Sequence, residues 1–203
     1  MHQKICDSSF VAIILVFMLL LPTSCRKTRA RSEAAIKELK DGAVLVRLHT
    51  SELQIKILKE ADKIIAAKRV EKDLEARNIE IMAAFRDEFK FCPVYFFFSN
   101  HSERIRQNKI DSVFVNNRLK IDYNIKPATE NVLILDVGFI YFQAFSSSTE
   151  GIIVMDKQFN PLERPFPYYV RRSKPIPVLS KRMAEMVEEL NHKLAKYYRK
   201  LKL

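Results

Sequence analysis

The sequence predicts an α/β protein with a mixed β-sheet flanked by helices. Apolar runs at residues 43–48 and 93–98 are typical of buried strands, and a long segment with apolar positions at helical spacing separates them. Strand, helix and strand in this order form a βαβ unit with a right-handed crossover. The composition agrees, because 48% of the residues are hydrophobic and only three are glycine, which favours a packed core over disorder.

The helix of this βαβ unit is predicted to cover residues 51–89, opening with a capping box at Ser51-Glu52-Leu53-Gln54. A continuous helix of this length would be roughly 58 Å long, whereas a domain of this size is only about 40 Å across. Part of the helix must therefore project or kink. Seven of the ten residues at 68–77 are charged, so we expect the kink or projection there, as a partner surface or as an ordinary solvated face.

The remaining elements follow from shorter patterns. A C-terminal amphipathic helix is predicted from its apolar stripe, which is more typical of packing on a sheet than of binding a membrane. This order of elements is similar to the thioredoxin fold, but the redox motif of that family is missing, so the resemblance implies no activity. The predicted elements are a helix at 102–107, strands at 112–115 and 119–121, an extended run at 132–145 with a bulge at Gly138, a strand at 152–156, an edge strand or loop at 166–170, and a helix at 180–202.

The N-terminus has the three parts of an export signal: Lys4 in a polar start, twelve apolar residues at 10–21, and small residues before Cys25. Twelve apolar residues are too few to cross a bilayer core, which needs about 20. Pro22-Thr23-Ser24-Cys25 resembles the lipobox of bacterial lipoproteins, although Pro22 departs from it. The resemblance implies removal of a signal peptide at 1–24 and acylation of Cys25, with simple secretion or an uncleaved anchor as alternatives.

Positive charge is concentrated at the two ends of the expected mature chain. The net charge is +11, and the excess lies in residues 26–31 and 171–203, while residues 32–170 carry equal numbers of acids and bases. We expect a basic tether at 25–41, followed by a single domain at 42–203. The membrane-proximal basic residues would add about 1 kcal/mol each to binding of an anionic bilayer, unless the tether is only a solvated linker. They are Arg26, Lys27, Arg29 and Arg31.

Cysteine usage fits an exported lipoprotein. Cys6 would leave with the signal peptide and Cys25 would carry lipid, which leaves Cys92 without a disulfide partner. Because no CxxC pair or cationic cluster is near it, we interpret Cys92 as a buried small hydrophobe rather than a reactive thiol. An exported protein rarely meets nucleic acid, so no nucleic-acid partner is expected despite the charge.

Candidate chemistry is confined to the ends of predicted strands. If the first two strands are parallel neighbours, their carboxyl ends bring His49, Ser99 and His101 to one edge, where a base and a nucleophile could meet. The alternative is that Ser51, Asn100 and Ser102 simply cap helices there. Asp136 and Asp156 could pair as acid and base, or serve in turns. No P-loop, dinucleotide fingerprint or metal-ligand spacing occurs, so neither a metal nor a cofactor is expected.

The segments 89–97, 153–157 and 165–170 look like those of uncharacterised lipoproteins of Gram-negative envelopes. That resemblance implies an envelope location and no particular activity. We therefore expect a membrane-anchored lipoprotein that binds an envelope protein or an acidic polymer, or has a structural role. Arg26 after Cys25 favours the outer membrane, facing the periplasm. The alternatives are a periplasmic hydrolase using the edge with His49 and His101, and a thioredoxin-like binding module.

Overall fold

The computed structural model describes residues 27–142, 147–173 and 180–201. These residues form helices on a five-stranded mixed sheet, which confirms the predicted α/β class. In chain order, the elements are α1 (27–40), β1 (Ala43–Leu48), α2 (Glu52–Glu60), α3 (Ile64–Glu88), β2 (Val94–Phe98), a 3-10 turn (Ser99–His101), α4 (Ser102–Arg106), β3 (Val132–Phe142), β4 (Ser147–Met155), β5 (Tyr169–Arg171) and α5 (Met183–Lys200).

The strands lie in the order β2-β1-β3-β4-β5. β1 is parallel to both of its neighbours, whereas β3, β4 and β5 pair antiparallel. β1 lies between two other strands and is covered on both faces of the sheet. Its side chains are therefore shielded from water, which explains its apolar sequence. Val44, Val46 and Leu48 contribute to one core, and Ala43 and Leu45 contribute to the other.

Helices cover one face of the sheet, and the segment between β2 and β3 covers part of the other. The buried stripes of α1, α3 and α5 pack with the first core. Ile105, Val113 and Phe114 form the second core with residues of β1 and β3. The predicted short strands at 112–115 and 119–121 reduce to isolated bridges. The buried side chains of α5 confirm that its apolar stripe faces the sheet; they are Met183, Met186, Val187, Leu190 and Leu194.

The long helix is broken, but not where the sequence predicted. The chain turns at Ala61–Lys63, where Asp62 takes a left-handed conformation with φ of 55°, and α2 folds back along α3. Residues 68–77 stay helical within α3, and all of their charged side chains are exposed except that of Arg77, which pairs with Glu150. α3 is about 37 Å long, against about 20 Å for β1, so the α2–α3 hairpin projects past the carboxyl end of that strand.

Helix α1 is part of the domain, although the tether predicted at 25–41 placed these residues outside it. Ile36 and Leu39 are fully buried in the core, and Ser32 is buried as well. Their spacing places all three on one face of the helix. The folded unit therefore begins no later than residue 27, where the predicted boundary is residue 42.

Three smaller predictions also change. β3 pairs with β4 without interruption from Ile134 to Phe142, so the expected bulge at Gly138 is absent from this pairing. β4 is longer than the predicted strand at 152–156, because its first half is held by β3. Of the predicted edge segment at 166–170, only the end pairs, as β5.

Candidate functional site

The carboxyl ends of β1 and β2 lie side by side, as the sequence predicted. His49 and Thr50 follow β1, and Ser99 follows β2 in the next position of the sheet. Asp136 reaches the same edge from within β3, where it pairs in register with Arg47. It does not end its strand, as had been expected, because β3 continues to Phe142.

Asp136 is the centre of a small polar cluster. The residue is 8% exposed, and its Oδ1 lies 3.0 Å from Nε2 of His49. Nη1 of Arg47 lies 3.9 Å from the other carboxylate oxygen, and the guanidinium covers the ring of Phe159. Asn78 of α3 donates to the carbonyl of His49 at 2.9 Å and so fixes the backbone of that residue. The carboxylate is thereby held between a cation and an imidazole.

The hydroxyl of Ser99 belongs to a different set of contacts. It accepts from the Thr50 amide at 3.2 Å and lies 3.2 Å from the Thr50 hydroxyl. His101 lies in the 3-10 turn, where burial and then nearby Arg104 lower the pKa of its ring. Within the described residues, no hydrogen bond joins His49 to Ser99 or His101. The structure brings His49 and Asp136 together and leaves the other two candidates outside that pair.

The alternative of helix capping is not observed either. Ser51 makes no side-chain cap to α2. Asn100 donates to the carboxylate of Glu52 at 2.6 Å, and Ser102 donates to the Ser99 carbonyl. The Asn100 contact therefore connects the turns after β1 and β2, whereas the Ser102 contact stays within the second turn.

Asp136 and Asp156 do not pair. Asp136 is opposite Ile153 in β4, three residues before Asp156, a separation of about 10 Å along the strand. The Asp156 carboxylate accepts from the backbone amides of Gln158 and Asn160, as a turn residue does.

An imidazole held by a carboxylate can act as a general base, because the acid orients the ring and stabilises its charged form. The cluster supplies these two groups, but the hydroxyls of Thr50 and Ser99 contact each other and not the imidazole. No group of three or more metal-ligating side chains occurs in the described parts of the chain.

Cys92 packs against the helix-covered core, in keeping with its interpretation as a small hydrophobe. Burial raises the pKa of its thiol to about 12, an effect that nearby Lys40 only partly offsets. A thiol with this pKa is almost wholly protonated at neutral pH and is a poor nucleophile.

A second region was not anticipated from the sequence. The ring of Tyr197 in α5 is adjacent to Arg29, Ser32 and Glu33, so the basic start of α1 lies beside the basic end of α5. The ring also contacts Phe166 at 6.0 Å between centroids. We call this region the basic pole; its exposed or half-buried cations are Lys27, Arg29, Arg31, Arg164, Lys193, Lys196 and Lys200.

A cleft of about 500 Å³ runs along the basic pole between α5 and the segment 164–169. Its apolar wall comes from prolines and tyrosines, and its rim carries lysines. Lys193 lies 2.8 Å from a Glu189 oxygen and 5.9 Å from the ring of Tyr169. Sequence reasoning found the two basic segments but not their convergence, which depends on tertiary packing.

Cys25 and Arg26 lie outside the described residues. No helix among those described is both long and apolar enough to cross a bilayer. Comparison with protein-family models, curated proteins and solved structures gives no significant match. The similarity to the thioredoxin fold and the resemblance to envelope lipoproteins therefore stay predictions from the sequence.

Proposed function

We propose that this chain is an envelope lipoprotein, acylated at Cys25, whose domain is held at the membrane surface in a binding or structural role. The observation that supports this most directly is that α1 belongs to the domain. Two residues of chain connect Cys25 to the start of the described helix, a reach of about 7 Å at most. An acylated Cys25 would leave the domain no long tether.

The charge around this point suits such a position. Lys27 and Arg31 lie one turn apart and are exposed on α1. Acyl chains alone give stable anchoring only in combination, and basic residues near an anionic bilayer add about 1 kcal/mol each. Because an arginine rather than an acid follows Cys25, we propose the outer membrane, with the domain facing the periplasm.

Metabolic labelling with an alkyne fatty acid tests the anchor. We expect label on the wild-type protein in the membrane fraction of a Gram-negative host, and loss of both label and processing in Cys25→Ala. Cys92→Ala is the matched control, because it removes a cysteine buried in the domain and should keep the label. Label that survives Cys25→Ala, or is lost equally in both variants, would contradict the proposal.

The binding role is best placed on the α2–α3 hairpin. α2 has no buried residue, and the projecting part exposes large apolar side chains, with Leu53 at 71% and Ile65 at 87%. Large apolar side chains exposed on a projecting element are typical of protein contact sites. We propose an envelope protein as the partner, with an acidic polymer as the alternative.

Site-specific photocrosslinking in intact cells tests this role. A photoreactive residue at Ile65 should give a discrete crosslinked band, whereas one at Lys120, in the loop before β3, should not. The same pattern at both positions, or no product at Ile65, would count against the hairpin as a binding surface.

A second candidate function rests on the 3.0 Å contact between His49 and Asp136. An imidazole so held could activate water for hydrolysis of an ester. Turnover of p-nitrophenyl acetate by the wild-type protein should then fall about 100-fold or more in His49→Gln, the size of loss expected when a general base is removed. Equal rates for the two proteins would exclude His49 as a base in this reaction.

A further inference from the structure

We propose that the cleft of the basic pole is the surface by which the domain rests on an anionic phospholipid bilayer. This inference deepens the proposed function and rests on it, since it names what the domain contacts once Cys25 is anchored. The occupant we assign is the headgroup region of the bilayer.

The wall of the cleft has the chemistry of a membrane interface. Pro165, Pro167 and Tyr168 line it together with Tyr169 and Tyr197. Tyrosine is suited to the boundary between headgroups and acyl chains, because one end of its side chain is apolar and the other is polar. Phe166, between the two prolines, turns inward and is buried, which fixes this segment to the core.

The rim of the cleft carries cations that have no acidic partner within the described residues. Arg164, Lys196 and Lys200 line it, and no carboxylate of the described chain does. Lys196 and Lys200 are one turn apart on α5 and both are exposed. Lys193, which also lines the cleft, is paired with Glu189, as is Lys181 from the chain just before α5. Three cations without an acidic partner in the described chain therefore line the cleft, complementary to a surface of lipid phosphates.

The position of the cleft also fits a bilayer. Tyr197 lines the cleft and is adjacent to Arg29 and Ser32 in the first turns of α1. The cleft is therefore close to the point where the chain leads to Cys25. A lipid on Cys25 would bring the bilayer to this side of the domain.

Vesicle flotation of a protein without the acyl group tests the surface separately from the anchor. All described contacts lie within residues 27–201, so a chain that starts at residue 25 with Cys25→Ser retains them. We expect it to float with vesicles of phosphatidylethanolamine and phosphatidylglycerol and not with phosphatidylcholine vesicles. Raising the salt concentration should weaken this binding.

Lys196→Gln/Lys200→Gln should lower the partition coefficient for the anionic vesicles about 30-fold, given the usual contribution of about 1 kcal/mol per membrane-bound lysine. Lys68→Gln/Lys72→Gln is the matched control, because it removes the same charge at the same helical spacing from exposed positions of α3. We expect less than a threefold change for the control, by the same argument.

Three results would overturn the proposal: equal flotation with phosphatidylcholine vesicles, equal losses in the two double variants, or capture by soluble polyphosphate with no vesicle binding. The last result would assign the cleft to a soluble polyanion. Because Cys25 carries no lipid in this experiment, its outcome is independent of the labelling result that tests the proposed function.

Discussion

Charged side chains have different surroundings at the two ends of the sheet. At the carboxyl end of the parallel strands, Asp136 is buried and lies between the guanidinium of Arg47 and the imidazole of His49. At the amino end, Phe91 before β2 packs its ring on Tyr198, so the second half of α5 lies there with its exposed lysines. The polar groups at the carboxyl end therefore serve the stability of the fold, whereas those at the amino end are exposed and available for binding.

This contrast bears on how function is inferred. A histidine beside a buried aspartate is a common catalytic arrangement. Here, however, the nearby hydroxyls of Thr50 and Ser99 contact each other and not His49. Lys196 and Lys200 of the basic pole form no motif, yet they line a cleft that no carboxylate of the described chain lines. We expect substitutions at the carboxyl end to change stability and those on the rim of the basic pole to change binding.

The largest effect on stability is expected for Gly42→Ala, which tests whether α1 is docked at the amino end. A methyl group there would overlap the backbone carbonyl oxygens of Asn131 and Glu38. Neither can move without shifting β3 or α1, so the free energy of unfolding should fall by about 3 kcal/mol, measured by urea denaturation.

Gly138→Ala is the control for this prediction. A methyl group at Gly138 would meet only an Asp136 carboxylate oxygen, at 3.3 Å. The expected change is within about 1 kcal/mol. Similar losses in the two variants would show that α1 is not held against the sheet as described.

Asp136→Asn should have the next largest effect, about 2 kcal/mol of the free energy of unfolding, because the half-buried Arg47 and His49 groups would lose their buried charged partner. Urea denaturation at neutral pH measures it. Asp111→Asn is the matched control; that side chain is 81% exposed and lies 3.6 Å from Lys126, so a change within about 0.5 kcal/mol is expected. Equal effects would remove the distinction between the two ends.

Cys92 gives a pH-dependent test at the amino end. Its pKa rises from the ordinary value of 9.0 to about 12 on folding, so the unfolded chain releases its thiol proton first. The contribution of this thiol to stability is present below pH 9 and is lost as pH rises towards 12. We expect a loss of roughly 1 kcal/mol at pH 10, relative to Cys92→Ala.

Thiol modification offers a second readout of the same residue. In the Cys25→Ser chain that begins at residue 25, the remaining thiol should react with an aromatic disulfide reagent at pH 8 only as fast as the protein opens, and promptly in urea. Prompt reaction without urea would mean that Cys92 is accessible and that its predicted packing role is wrong.

The smallest stability effect is expected for Lys196→Gln/Lys200→Gln, within about 0.5 kcal/mol in urea denaturation, because exposed charges without partners contribute little to folding. Its value lies in the contrast with vesicle binding. A loss comparable to that of Asp136→Asn would show that these lysines are structural.

Part of this fold could be predicted from local pattern alone. The apolar runs identified β1 and β2, and the stripe of α5 identified both the helix and its buried face. Each of these elements has an apolar run or an apolar stripe, so its buried environment follows from its own sequence.

Other features depend on information that local pattern does not carry. The turn at Ala61–Lys63 contains no glycine or proline. Asp62 takes a left-handed conformation that aspartate tolerates, but an aspartate alone does not predict a turn. The sequence does contain evidence for α1, since Ser32, Ile36 and Leu39 recur at helical spacing. The arginines just before them favoured a tether instead of a packed helix.

The candidate sites divide in the same way. The strand-end argument brought His49 and Ser99 to the correct edge, because the connectivity of a βαβ unit determines that edge. It could not select Asp136 as the partner of His49, since that contact depends on the register of β3 against β1. The basic pole requires α1, α5 and the segment 164–169 to meet, which no single stretch of sequence encodes.

The intact mass of the protein purified from membranes tests the central claim most directly. An acylated lipoprotein predicts a chain that starts at Cys25 and is heavier than residues 25–203 by the mass of its acyl and glyceryl groups. A chain that retains residues 1–24, or one that starts at or near Cys25 with no added mass, would contradict it.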